Sequence, residues 1–159
     1  MRQILPDPVP VIPFTLEAYQ QLQIDVDRLS NERKEVMIRL QTAREMGDLS
    51  ENGAYIYAKF ELGSLNRQLA QLRHLLKNGQ VVQKQTNALV VGFGSTVTLL
   101  QGKKEIAFTI VSMHESNLSL RKLSLESPIG SALMGRGVGE DVHVETPNGK
   151  VAYTIIKIT

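Results

Sequence analysis

Tyr19, Leu22, Val26, Leu29, Arg33, Val36, Leu40 and Ala43, then Tyr55, Ala58, Leu62, Leu65, Leu69, Leu72 and Leu76, form two ladders at alternating spacings of three and four. One short break, Met46-Gly47-Asp48-Leu49-Ser50-Glu51-Asn52-Gly53, separates them. That spacing is the seam of a heptad helix, a narrow apolar stripe between polar flanks, and Arg33 is its one charged intruder. Thr15 stands as N-cap of the first helix with Glu17 in the first turn, and Asn78-Gly79 closes the second as a C-cap pair. The break is too short for anything but a tight reversal, so the two stripes are expected to meet as an antiparallel coiled-coil hairpin over residues 14–79. About thirty residues at 1.5 Å each make an arm of about 40–45 Å, and Met46 to Gly53 is its far end. A hairpin used only as a spacer or dimer seam is the plain alternative.

Outward from the ladders the pattern changes on both sides. Pro6, Pro8, Pro10 and Pro13 mark residues 1–13 as an extended proline-rich extension. From Val81 onward short β-rich runs take over: Ala88 to Val91, Ser95 to Leu100, Glu105 to Met113, Leu118 to Leu125, Asp141 to Glu145 and Lys150 to Ile158. Gln101-Gly102-Lys103-Lys104 and Pro147-Asn148-Gly149 carry hairpin-turn chemistry. Ser127 as N-cap with Pro128 in the first helical position opens a short helix ending near Met134-Gly135. Residues 80–159 are thus expected to form a second domain, α+β, with a mostly antiparallel sheet.

Composition bounds what such a chain does. With 42% hydrophobic and 21% charged residues it reads as a soluble globular protein rather than a disordered one. No run reaches the eighteen or so apolar residues that span a bilayer, and the N-terminus lacks a signal peptide's apolar core, so a cytoplasmic protein with no membrane partner is expected. The absence of cysteine removes disulfides, zinc–thiolate clusters and thiol chemistry. A net charge of +2 is too small to argue for nucleic-acid binding, and 5% aromatics with no tryptophan supplies few stacking platforms.

Chemistry concentrates in the break. Asp48 and Glu51, three apart, can share one face of a turn and address one cation; equally, Asp-x-x-Glu at a helix start is a capping pattern. Two carboxylates are too few to hold magnesium, which wants about six oxygens, so they make half of a site that another macromolecule would complete. Such a completed site suits two-metal phosphoryl chemistry. Arg44 before the tip and Lys59 after it are either contacts to a partner or ion pairs with Glu45 or Glu61. Elsewhere the signals are weaker. Gly135-Arg136-Gly137-Val138-Gly139 lacks the spacing and context of a phosphate loop and reads as a flexible loop. His74, His114 and His143 show no ligand spacing, and Lys103-Lys104 with Arg121-Lys122 are candidates for a small basic face.

Ala43-Arg44-Glu45-Met46-Gly47-Asp48-Leu49-Ser50-Glu51-Asn52, with Tyr55 and Ala58-Lys59, resembles the tip motif of Gre transcript-cleavage factors. Ser127-Pro128-Ile129-Gly130-Ser131-Ala132-Leu133-Met134-Gly135, then Gly139-Glu140-Asp141-Val142 and Thr146-Pro147-Asn148-Gly149, looks like that family's second signature. The resemblance, over about residues 12–158, implies a coiled coil that enters the secondary channel of bacterial RNA polymerase and an FKBP-like C-terminal domain that docks at its mouth. It implies that Asp48 and Glu51 help position a magnesium ion shared with the polymerase, and its water, for cleavage of backtracked RNA, with the polymerase remaining the enzyme. No magnesium is expected to bind tightly to the free protein, which is expected to be a monomer. Arg44, Ser50, Asn52, Tyr55 and Lys59 match tip positions expected to contact the RNA 3′ end or the polymerase, and Ser127, Pro128, Ile129 and Gly130 match the docking segment.

Three departures accompany the match: the long extension before Val11, Ala54 where an acid is common, and Lys34 where proline is frequent. A regulator that occupies the channel without stimulating cleavage is the competing function. A prolyl isomerase would need an aromatic-lined pocket, for which Phe93, Phe108 and Tyr153 are the supply.

Overall fold

The computed structural model describes residues 11–83 and 89–159. These divide into two compact units, one holding Tyr19–Gly79, the other Ile12–Ala18 with Gln80–Thr159.

The first unit is the hairpin, built from α1 (Leu16–Glu45) and α2 (Gly53–Asn78). Its core is the seam: Leu29, Val36, Ala58, Leu65 and Leu69 are buried, with Val26, Leu40, Leu62 and Leu72 packed against them. Cross-helix bonds fix the direction. Tyr19 donates to the Leu76 carbonyl at 3.2 Å, Arg33 Nε to Asn66 Oδ1 at 2.7 Å, and Arg39 pairs with Glu61 at 2.8 Å. Partner numbers fall along α2 as they rise along α1, which is antiparallel pairing. Arg33 is thereby accommodated at the seam's edge by an amide rather than by a charge. Near the base Leu75, not the expected Leu76, is buried. Lys34 continues α1 without a break. Gly79 is extended (φ −78°, ψ 142°), so instead of a left-handed cap the chain leaves α2 directly into strand β2 (Gly79–Val81).

The second unit holds two sheets. β1 (Ile12–Phe14) pairs with β2 in a two-stranded ribbon, so ordered strand begins inside the stretch expected to be extension. A narrow ribbon tolerates Pro13 because an edge position requires no amide donor from it. The extension's residues 1–10 lie outside the described residues. The main sheet runs β5-β4-β3-β7-β6, from β3 (Thr96–Gln101), β4 (Lys104–Val111), β5 (Lys122–Ser124), β6 (Asp141–Thr146) and β7 (Gly149–Ile158). All pairs are antiparallel except β4 with β5, which is parallel. Both expected hairpins are present, with Gln101 opposite Lys104 and Thr146 opposite Gly149. Val97, Leu99, Ile110, Val142, Val144, Tyr153 and Ile155 form one buried face, which α3 (Pro128–Leu133) covers with Leu133.

Two expected strands differ. Leu118 to Leu125 was expected as one run, but Leu118–Leu120 is a 3₁₀ turn and only Lys122–Ser124 is strand. Asn117 accepts the Ser119 amide and Arg121 sits at φ 57°, a left-handed residue that ends the turn and reverses the chain. Of Ala88 to Val91, Ala88 lies outside the described residues, and Val90 makes an isolated bridge to Gly137 rather than a strand.

Candidate functional site at the hairpin tip

The tip is shaped by four residues. Met46 N–H donates to the Ala43 carbonyl at 3.2 Å, closing the last turn of α1. Gly47 at φ 126° then turns the chain through a conformation that a side chain would disfavour. Asp48 follows: its Oδ1 accepts both the Ser50 amide, at 2.9 Å, and the Ser50 hydroxyl, at 2.8 Å. This Asx turn folds the loop onto itself. Asn52 finishes it. Its Oδ1 accepts the Tyr55 amide at 3.1 Å as N-cap of α2, while its Nδ2 donates to the Ala43 carbonyl at 2.7 Å. One amide side chain therefore starts the second helix and ties it to the end of the first.

The question left open between capping and metal binding is answered by this division of labour in part. The N-cap of α2 is Asn52, and neither Asp48 nor Glu51 serves as one. Asp48 caps only its own turn, and Glu51 is exposed with no hydrogen bond among the described residues. The two Ser50 hydrogen bonds, backbone first, hold the Asp48 carboxyl below its ordinary value of 3.8, so it is ionised at neutral pH. The tip thus presents two solvent-facing carboxylates on a short, internally braced loop. Among the described residues no group of three or more His, Cys, Asp or Glu side chains stands where it could hold one ion. The donor set at Asp48 and Glu51, two carboxylates, is hard oxygen and fits magnesium as a partial shell.

The other expected tip residues divide. Arg44 and Lys59 are exposed, and neither forms the ion pair with Glu45 or Glu61 that was the alternative to a partner contact; Glu61 binds Arg39. Both cations face solvent, Arg44 in the last turn of α1 and Lys59 in the second turn of α2. Ser50 has its hydroxyl committed to Asp48, and Tyr55 is half-buried in the first turn of α2. Sequence reasoning missed Arg39–Glu61 and the double role of Asn52, although an asparagine immediately before Gly53 is itself an N-cap signal.

The second signature is mostly turned inward. Ser127 Oγ accepts the Gly130 amide at 3.0 Å and donates to the Ser124 carbonyl at 2.7 Å. Gly130 is buried so tightly that a Cβ there would lie 2.0 Å from the Ser124 oxygen. Ile129 packs on the core, which leaves Pro128 as the exposed member of the four. Residues 135–139 are not the flexible loop expected. Gly135 N–H donates to the Val91 carbonyl at 2.9 Å, Gly139 N–H to Ile155 at 2.7 Å, and Val91 N–H to Arg136 at 2.8 Å. Glu140 accepts the Gly137 amide at 2.9 Å and the Arg136 guanidinium at 3.0 Å, contacts that lower its pKa. Amides spent this way cannot cradle a phosphate.

Lys122 pairs with Thr109, at the opposite end of β4 from Lys104. Five residues of strand are about 17 Å, so the two basic pairs do not make one face. A groove of about 620 Å³ beside the two-stranded ribbon is lined by Thr15, Leu16, Glu17, Val81, Val82 and the start of β3, with no aromatic ring. It does not suit a prolyl substrate.

Comparison with known proteins agrees with this architecture at both ends of the chain. Residues 12–81 match the N-terminal domain model for transcription elongation factors, and residues 85–159 match the C-terminal GreA/GreB model. The chain is 37% identical over 153 residues to transcription elongation factor GreA of Bacillus velezensis, covering 94% of this chain and 97% of that protein. GreA of Bacillus subtilis matches at the same identity and coverage. Among solved structures, the GreA factor homolog 1 (Gfh1) protein of Thermus thermophilus is 25% identical over 94% of this chain and 99% of that one, with a TM-score of 0.45. On both domain models and these full-length relatives, the chain belongs to the GreA/GreB family of transcription elongation factors.

Proposed function

We propose that this protein binds bacterial RNA polymerase in the elongation complex, inserts its hairpin into the secondary channel and stimulates the polymerase's own magnesium-dependent cleavage of backtracked RNA. The observation that carries this reading is the pair of exposed carboxylates, Asp48 braced by Ser50 and Glu51 without a hydrogen bond, on a compact loop at the end of a thin arm. Asp48 is kept ionised by Ser50 and held in place by the same bonds, so it meets a cation without first losing a proton. Glu51, unbonded, is free to swing toward the same ion or its water. Asp48 and Glu51 would hold a magnesium ion that the polymerase completes; when bound, such an ion activates water for attack on a phosphodiester. Asn52 and Gly47 keep the loop compact, and Arg44 and Lys59 supply positive charge for the RNA phosphates or for the polymerase. On this reading the protein acts as a monomer in the cytoplasm, and Pro128 with its neighbours belongs to the docking surface. Among the described residues no helix is long and apolar enough to cross a membrane.

A second reading, a channel-occupying regulator that does not stimulate cleavage, draws on Ala54, which leaves the first turn of α2 without an acid. One assay separates the two. Backtracked complexes with magnesium are incubated with the parent protein or the Asp48→Asn, Glu51→Gln double variant. Transcript shortening by the parent, lost in a variant that still binds polymerase, supports cleavage stimulation. Equal binding with no shortening by either protein leaves only the regulator.

A further inference from the structure

Asp48 offers a cation one of its two oxygens. Its Oδ1 accepts the Ser50 amide at 2.9 Å and the Ser50 hydroxyl at 2.8 Å. A carboxylate oxygen has two lone pairs, so two donors use it fully. Oδ2 has no hydrogen bond or ion pair among the described residues. The two donors differ in origin. The amide comes with the path of the loop, which Gly47 turns at φ 126° and Asn52 ties to the Ala43 carbonyl at 2.7 Å. The hydroxyl comes from the side chain, and a hydroxyl on so short a stem belongs to serine and threonine alone. Glu51 is under no such restraint: it is exposed, with no hydrogen bond among the described residues to hold either oxygen.

We propose that Ser50 is a positioning residue: it makes Asp48 a ligand through Oδ2 alone, and the tip thereby favours magnesium over calcium. The inference rests on the reading of Asp48 and Glu51 as the ion-positioning pair and deepens it. Magnesium is small, takes about six oxygens in near-ideal octahedral array and keeps several of its waters, so one oxygen from a carboxylate suits it. Calcium takes six to eight oxygens at longer distances, roughly 2.3–2.6 Å, and gains from a carboxylate that binds through both. With Oδ1 held by two donors, binding through both oxygens requires that a Ser50 bond be broken. That cost falls on calcium and spares magnesium. The same two bonds fix the rotation of the carboxylate plane, so Oδ2 is aimed before an ion arrives. Glu51, unrestrained, is left to adapt to whatever shell the polymerase completes.

The test compares the full chain with Ser50→Ala, which removes the hydroxyl donor and keeps the amide, and with Ser50→Thr, which keeps both. Magnesium or calcium chloride is titrated at millimolar concentrations into each carbon-13-labelled free chain, and the side-chain carboxyl resonances of Asp48 and Glu51 are followed. The amides of Asn52 and Tyr55 check that the tip stays folded. Ser50→Ala should move the ratio of magnesium to calcium affinity toward calcium by about threefold to tenfold, the scale of one exposed hydrogen bond, with the change carried by Asp48. Ser50→Thr should keep the parent ratio. In backtracked complexes held at fixed magnesium, calcium should correspondingly inhibit shortening at lower concentration with Ser50→Ala than with the other two proteins. Where the free chain binds both ions too weakly to respond, this competition carries the same three-way comparison. An unchanged ratio in Ser50→Ala, or an equal shift in Ser50→Thr, overturns the proposal, and shortening by the parent then leaves the cleavage reading standing. A shift confined to Ser50→Ala, with no shortening by the parent, upholds the role of Ser50 and removes the cleavage reading. If Glu51 responds to the ions in the parent and Asp48 does not, Asp48 is no ligand and the proposal fails.

Discussion

At the scale of single residues, the tip depends on a carboxylate whose charge is stabilised locally. Because Ser50 lowers the Asp48 pKa in the folded tip, the turn's stabilisation is present above the unfolded value, ordinarily 3.8, and is lost as pH falls through the lower folded value. Carbon-13 carboxyl titration should therefore give Asp48 a midpoint below that of an aspartate in an unstructured peptide, and Ser50→Ala should move it partway back. An Asp48 midpoint at or above the peptide value would contradict the Asx turn. Gly130 depends on space rather than charge. A methyl group there meets a backbone oxygen at 2.0 Å, which cannot rotate aside, so Gly130→Ala should destabilise the sheet domain by about 1–3 kcal/mol or more in urea unfolding. A neutral result would show that α3 has room to slide.

At the scale of elements, the helices were legible and the short strands less so, for one physical reason. Fifteen seam positions repeat one rule, so a departure at one of them, Leu76, leaves the reading of the hairpin intact. The segment Leu118 to Leu125 offers no repetition. Its alternation imitates a strand, yet Leu118 and Leu120 are each 66% exposed, because Asn117 and the left-handed Arg121 set the local path. Likewise the parallel pairing of β5 follows from where the chain returns, which no local pattern encodes. At the tip the acids are legible as candidates, while the sequence presents Asn52, the residue that shapes the loop, only as a surface contact. Asn52 supplies the test of that loop. Asn52→Asp retains the cap acceptor but loses the donor to Ala43; Asn52→Ala loses both. Alanine should cost about 1–2 kcal/mol and aspartate less, read as faster hydrogen exchange at the Tyr55 and Ile56 amides. Equal rates in all three proteins would mean that the loop is held by other contacts.

At the scale of the whole molecule, the second unit is made from two stretches that the hairpin separates in sequence. Residues Ile12–Ala18 belong with Gln80–Thr159, and the bonds that join them are specific. Phe14 is 1% exposed and stacks on His114 with centroids 6.1 Å apart, and its carbonyl accepts the Val82 amide at 2.9 Å. Next to it, Thr15 donates from its amide and its hydroxyl to the two Glu115 oxygens, each at 2.8 Å. Bringing residues 100 apart together carries a loop-closure penalty that rises only slowly with length, so one buried ring and a two-bond clamp are enough to hold the join. Phe14→Ala should then destabilise the second unit by about 3–5 kcal/mol, and Thr15→Val, which keeps the amide bond, by about 1 kcal/mol. Leu65→Ala should instead act on the hairpin, by about 2–5 kcal/mol, since Leu65 is buried only in the seam. Methyl resonances distinguish the two: Phe14→Ala should shift the urea midpoint reported by Leu99 and Ile110 while leaving that of Leu65 and Leu69 in place, with the opposite pattern for Leu65→Ala. If every methyl moved together in both variants, the two units would unfold as one, and stability at the tip would be tied to packing throughout the sheet domain.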